Sequence, residues 1–272
     1  MQQHRVIRDL GFAADAGFRP LELDLHLPEG PRPHPVVLEL HGGGWLRGSR
    51  REFTPLVSEA ESFGRIADAG FAVVAASYRL SGEAVFPAQV DDVRRALAWI
   101  SSDAAAAHGL DPDRVVLWGG SAGGTLAALV GLEPGARVRG VVDWYGPSDL
   151  FAMEEHTRSL GVDAPGASRE DRWIGGPVPD LPDVARAASP VSHVHPAAPP
   201  FHLAHGDADD AVPLAQSLAL ADALRAVGVE VELLVEPGAG HFWRGVAPER
   251  VAALFDAAIR FAARVTATQP TA

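Results

Sequence analysis

Arg114-Val115-Val116-Leu117-Trp118 runs into Gly119-Gly120-Ser121-Ala122-Gly123-Gly124, and an apolar, alanine-rich stretch continues to about Leu132. The apolar run predicts a buried strand, and the stretch after the glycines predicts a helix. Between them, Gly119, Ser121 and Gly123 have the Gly-x-Ser-x-Gly spacing of a sharp strand-to-helix turn with serine at its apex. The neighbours two residues away must be small, because side chains there would collide across the turn. Those five residues alone suit a plain glycine-rich turn equally well. The strand before them and the helix after them favour a turn that displays a nucleophile. The N-terminus of that helix also directs free N–H groups toward Ser121, which favours negative charge there.

On either side of this stretch, strand and helix signals alternate. Strands are expected at residues 5–10 and 21–27, the second from the alternation Leu21-Glu22-Leu23-Asp24-Leu25. Further strands are expected at 36–40, 71–77, 138–144, 201–205 and 229–236. Helical signal falls at 59–69, 88–102, 214–227 and 248–265, with Pro248 suited to a first helical turn. This pattern predicts an α/β fold with a mainly parallel sheet of about eight strands and helices on both faces. Ligands bind such sheets beyond the carboxyl ends of the strands, and the glycine- and histidine-bearing loops here all follow strands. Residues 146–198 are different, rich in Pro, Gly, Ser and charge with little periodicity. They are expected to form an insertion of short helices, a small lid within a single domain spanning 1–272.

Three more loops carry candidate chemistry. His41-Gly42-Gly43-Gly44 follows an early strand. Acyl transfer develops an oxyanion that needs backbone N–H donors, and glycines let the main chain approach a carbonyl closely. The N–H groups of Gly43, Gly44 and Ala122 are therefore the expected oxyanion donors. His205-Gly206-Asp207-Ala208-Asp209-Asp210 offers three carboxylates after a strand. One of them suffices to orient a histidine and stabilise its imidazolium. His241 lies in Pro237-Gly238-Ala239-Gly240-His241-Phe242, a tight loop late in the chain. The order Ser, Asp, His makes it the expected base. The remaining histidines, among them His4, His34, His108, His156, His193 and His195, lack such a setting, and His205 is expected to fix its loop by hydrogen bonding.

Composition narrows the classes. The 272 residues suit one large domain, and a hydrophobic content of 47% allows a sizeable core. A net charge of -12 argues against nucleic-acid binding and against docking on anionic membranes. The chain has no Cys and no Lys, so its basic residues are all Arg. That removes thiolate chemistry, Cys-ligated zinc, the P-loop lysine and the Schiff-base lysine. No secretion signal and no membrane span are read from the sequence, so a cytoplasmic protein is expected. Nothing in the sequence singles out an oligomer interface.

Taken together the motifs resemble the α/β-hydrolase fold esterases, in particular the hormone-sensitive-lipase-like and BD-FAE-type carboxylesterases. They are HGGGW (His41–Trp45), GGSAGG (Gly119–Gly124), DWYGPSDL (Asp143–Leu150), HGDADDAVP (His205–Pro213) and PGAGHFW (Pro237–Trp243). The resemblance implies a serine carboxylesterase with Ser121 as nucleophile, His241 as base and no metal or organic cofactor. Its acid sits four residues after the His of the HGxxD loop, which selects Asp209, with Asp207 as second choice. The family usually carries Asp or Glu just before the nucleophile, where this chain has Gly120. Hormone-sensitive-lipase relatives often carry a long N-terminal cap. Only about forty residues precede the HGGG loop here, so a cap would come from 146–198, which favours the BD-FAE-like group. The expected partner is a small-molecule ester with a short acyl or aryl group. Amide, formamide or peptide hydrolysis by the same residues, release of acetyl or feruloyl groups from cell-wall polysaccharide, and non-catalytic binding on a hydrolase scaffold remain as alternatives. Aromatic residues available to a pocket are Trp45, Phe86, Trp144, Trp173, Phe242 and Trp243, of which Trp45, Trp144 and Phe242 adjoin the site loops and are expected to contact substrate.

Overall fold

A computed structural model describes residues 4–14, 18–161 and 168–267. Its strands are β1 (Arg5–Ala13), β2 (Leu21–Leu27), β3 (His34–Leu40), β4 (Ala72–Ala76), β5 (Leu110–Gly120), β6 (Gly140–Trp144), β7 (Phe201–Gly206) and β8 (Val231–Glu236). They form one sheet in the order β1-β2-β4-β3-β5-β6-β7-β8. β2 is antiparallel to β1 and β4, and the pairs from β4 through β8 are parallel. The helices are α1 (Arg65–Asp68), which continues a π-helical turn at Ala60–Gly64, α2 (Ala88–Ile100), α3 (Asp103–Ala107), α4 (Ala122–Gly131), α5 (Leu150–Ser159), α6 (Arg169–Ile174), α7 (Pro182–Ala187), α8 (Ala215–Ala226) and α9 (Pro248–Thr266). The strand predicted at 114–118 is longer than expected. The short helix α3, capped by the Ser102 hydroxyl, has no counterpart among the sequence expectations.

The two-residue period of a strand sends alternate side chains to opposite faces. Val36, Leu38 and Leu40 of β3 and Val115 and Leu117 of β5 bury against α2, α4 and α8. Val37, Val116 and Trp118 bury on the other face, against α1 and α9. Each fully buried aliphatic side chain contributes about 1.5–3 kcal/mol. Central strands can therefore be apolar throughout, as the sequence of β5 required.

β3, β5, β7 and β8 are parallel, so the loops that follow them all emerge at one edge of the sheet. The segment between β6 and β7 forms α5, α6 and α7 with short 3-10 turns, and its residues 162–167 lie outside the described residues. α6 is tied to the body of the protein by Trp173, which stacks on Trp45 at 3.9 Å and donates to Gln89 Oε1 at 3.1 Å. Among the described residues no helix is long and apolar enough to cross a membrane.

Candidate active site

Ser121 stands between β5 and α4 with φ 56° and ψ -125°, a left-handed conformation that a side chain rarely adopts. The turn around it is closed by contact. A Cβ on Gly119 would collide with the carbonyl group of Gly123, and one on Gly123 would collide with the Leu40 carbonyl of β3. The Ser121 N–H donates to the Trp144 carbonyl at 2.8 Å, which fixes the turn to β6. A Cβ on Gly120 would come within 3.2 Å of the Tyr145 ring. Tyr145 thus fills the direction in which an acidic residue at 120 would project.

His241 reaches the serine from the loop after β8. Its Nε2 lies 3.1 Å from Ser121 Oγ, and its Nδ1 lies 2.6 Å from Asp209 Oδ2. The other carboxylate oxygen of Asp209 accepts the N–H groups of Ala211 and Val212, each at 2.9 Å. Burial opposes the ionisation of Asp209. Hydrogen bonds from His205 and His241 and from the Val212 N–H outweigh it and hold the carboxyl well below the usual range. With Asp209 ionised, Nδ1 of His241 carries the proton and Nε2 is free to accept the one on Ser121. His205 behaves as a loop fixer, with Nδ1 2.7 Å from Ser217 Oγ and Nε2 2.9 Å from the Val212 carbonyl. Asp207 is exposed and accepts the Gly238 N–H at 2.6 Å, away from His241.

The loop after β3 packs against the serine turn. Gly43 and Gly44 have φ of +113° and +62°, and a Cβ on Gly42 would lie 3.0 Å from the Gly120 carbonyl. Among the described residues the N–H groups of Gly43, Gly44 and Ala122 have no protein acceptor. Gly43 and Gly44 border the same cleft as Ser121 and His241. Beneath them His41 stacks on Tyr78 at 4.2 Å and donates from Nδ1 to the Gly42 carbonyl at 2.8 Å. Burial lowers the pKa of His41 to about 4, so it is neutral at pH 7. The loop's far end is anchored by Arg50, which donates to Asp24 at 2.8 Å, to Glu22 and Ser77 at about 3 Å, and also reaches Asp9.

The cleft over Ser121 has a volume of about 350 Å³, with Phe242 in its wall. The other aromatic expectations are corrected. Trp144 is fully buried at the centre of an aromatic cluster with Phe53, Trp118, Trp243 and Phe255. Trp45 is also buried, because its positive φ of 56° turns the side chain away from the cleft and under Trp173. Neither borders the cleft. Residues that do border it and carried no sequence signal are Arg47, Arg169 and Arg244. Asp143 opens the DWYGPSDL motif, but the sequence assigned it no role. It lies buried behind the serine turn, accepts the Gly146 N–H at 3.0 Å, and is pushed up to about 7 by burial.

Comparison with known proteins agrees with this geometry. The BD-FAE family profile matches residues 23–224. Esterase LipQ of Mycobacterium tuberculosis is 35% identical over 224 residues, which is 77% of this chain and 50% of LipQ. The probable carboxylic ester hydrolase LipM of the same organism is 30% identical over 97% of this chain and 64% of its own length. The chain thus spans half to two thirds of these relatives. Among solved structures, a truncated carbohydrate esterase from gut microbiota superposes with a TM-score of 0.82 at 25% identity, covering 96% of each chain.

Proposed function

The chain belongs to the BD-FAE family of α/β-hydrolase-fold proteins, and on that premise we propose that it is a serine carboxylesterase acting on short-chain acyl or aryl esters. The observation that carries the proposal is the line of hydrogen bonds from Ser121 Oγ through His241 to the buried, ionised Asp209. Ser121 Oγ bonds to the ester carbonyl carbon while its proton passes to His241 Nε2. The carbonyl oxygen, now negative, is held by the N–H groups of Gly43, Gly44 and Ala122. As the tetrahedral species collapses, the bond to the alcohol oxygen breaks and the alcohol leaves with the proton from His241. Water then gives a proton to His241 and bonds to the acyl carbon. Ser121 departs with that proton, releasing the carboxylic acid. Asp209 stabilises the imidazolium in both halves without taking the proton.

Two features support short substrates: the small volume of the cleft and α6 of the insertion, which borders it through Arg169 and which we read as part of a compact lid. The likeness to a carbohydrate esterase favours a second reading, in which the alcohol is a sugar hydroxyl.

The test is covalent. A fluorophosphonate should add a single label, mapped by mass spectrometry to the peptide holding Ser121 and absent in Ser121→Ala. A label on another residue, or none, would remove the nucleophile from the account. Comparing matched ester and anilide substrates then separates esterase from amidase activity.

A further inference from the structure

The cleft over Ser121 has a charge that the rest of the molecule does not lead one to expect. Acidic side chains outnumber Arg by 35 to 23 in the chain. Most exposed arginines of the structure meet a carboxylate, as Arg19 meets Glu83 and Arg137 meets Asp113. Arg47 and Arg169 are exceptions, as are Arg5, Arg32, Arg139, Arg172 and Arg260, but of these only Arg47 and Arg169 line the cleft over Ser121. Both are exposed, and among the described residues neither forms an ion pair or a side-chain hydrogen bond.

Their placement is tied to the reacting centre. The Arg47 Cγ would lie 3.2 Å from a Cβ on Gly43, and the Arg169 Cδ would lie 2.6 Å from one on Gly44. Both side chains therefore pass beside the two glycines whose N–H groups are the expected oxyanion donors. One comes from the loop after β3 and the other from α6 of the insertion, so the pair brackets the cleft from two separate elements. The carboxylates nearby do not pair with either guanidinium. Asp209 is bonded to His241. Asp210 lies 3.9 Å from Arg244, the third arginine of the cleft. Glu170 is buried and shares a neighbouring cavity with Arg169 and Asp210, and Glu52 shares another with Arg47, but among the described residues none of the three forms an ion pair with either guanidinium.

We propose that the ester hydrolysed here carries a carboxylate, recognised by Arg47 and Arg169 while its carbonyl lies on Ser121. The inference rests on the esterase reading and specifies its substrate class. A guanidinium is permanently charged and presents a planar fork that matches a carboxylate. Two unpaired forks beside a nucleophile would favour an anionic ester over a neutral one of equal size. The carboxylate can reside on the acyl or on the alcohol side, and the test separates the two.

The test compares two matched pairs of esters. Mono-4-nitrophenyl adipate against 4-nitrophenyl hexanoate places the charge on the acyl side. 4-Acetoxybenzoate against 4-methylphenyl acetate places it on the alcohol side. For each pair the ratio of kcat/KM, anionic over neutral, is measured in wild type and in the Arg47→Gln/Arg169→Gln variant. The ratio should fall on the order of tenfold in one pair, mainly through KM, and Lys at both positions should restore part of it. A ratio unchanged in both pairs, with neutral esters still hydrolysed, overturns the charge recognition and leaves the esterase standing. If no ester is hydrolysed the esterase reading itself fails. Calorimetric binding of mono-4-nitrophenyl adipate to Ser121→Ala, with and without the two Gln substitutions, still decides the charge recognition. The same titration with 4-acetoxybenzoate covers the alcohol side; weaker binding of either ester in the triple variant supports the recognition, and equal binding of both overturns it.

Discussion

The left-handed backbone of Ser121 costs on the order of 1–3 kcal/mol for a residue with a side chain. It is held there by the interlocked glycines and by the N–H bond to Trp144. Asp209 shows how much a single residue depends on its surroundings. Asp207, Asp209 and Asp210 are near-equivalent as sequence, and the family resemblance was needed to choose among them. Only the folded loop distinguishes them, turning Asp209 inward onto His241 and leaving Asp207 exposed on the Gly238 N–H. Asp209→Asn should lower kcat by roughly three to four orders of magnitude, because the amide no longer holds the imidazole tautomer. Asp207→Asn should leave kcat within about twofold, as expected of an exposed polar substitution. Steady-state kinetics on 4-nitrophenyl butyrate distinguishes them, and equal losses would contradict the assignment. Trp45 and Trp144 were misread because adjacency to a loop says nothing about side-chain direction. A positive φ at Trp45 and the strand parity of Trp144 send both into the core.

At the scale of elements, eight strands and the long helices were legible because their apolar runs are long and their periods distinct. The start of β5 was not, since Leu110-Asp111-Pro112-Asp113 reads as a turn and pairs only at its first residue with His34. The short helices of the insertion were foreseen as a kind but not individually. α5 and α6 are fixed by the capping side chains of Asp149 and Ser168, and α6 also by Trp173 on Trp45. The loop after β3 depends on Arg50 and the buried Asp24. Arg50→Ala leaves that carboxylate with Arg8, Arg51 and the Asp9 N–H as partners and should cost about 1–3 kcal/mol in denaturant unfolding. A loss below about 1 kcal/mol would show the anchor to be incidental. Asp143, behind the serine turn, gives a pH signature. Its folded pKa is raised to about 7, so the native state keeps a proton that the unfolded chain releases above about pH 4. Stability from this group is present at low pH and lost as pH rises toward 7, at about 1.4 kcal/mol per pH unit. Asp143→Asn lacks that slope. Relative to wild type it should gain about 3 kcal/mol between pH 5 and pH 8 in urea titrations, and a constant difference would argue that Asp143 is ionised in the fold.

Across the whole molecule, the parallel sheet does what no single motif can. It carries residues 120 positions apart, Ser121 and His241, to one edge and within 3.1 Å. Chain order and the loops after strands made that convergence readable. The arginines of the cleft were not readable, because one belongs to a loop and another to the insertion, and their meeting exists only in three dimensions. The small cleft over Ser121 predicts that 4-nitrophenyl butyrate is hydrolysed faster than the palmitate ester at equal solubility, and the reverse order would mean that its volume does not limit chain length. The central claim rests on one side chain. Hydrolysis of 4-nitrophenyl butyrate by the purified protein is to be measured beside Ser121→Ala, with circular dichroism on both. The account predicts turnover in the wild type and a loss of several orders of magnitude in a folded variant. Turnover that survives the substitution would contradict it.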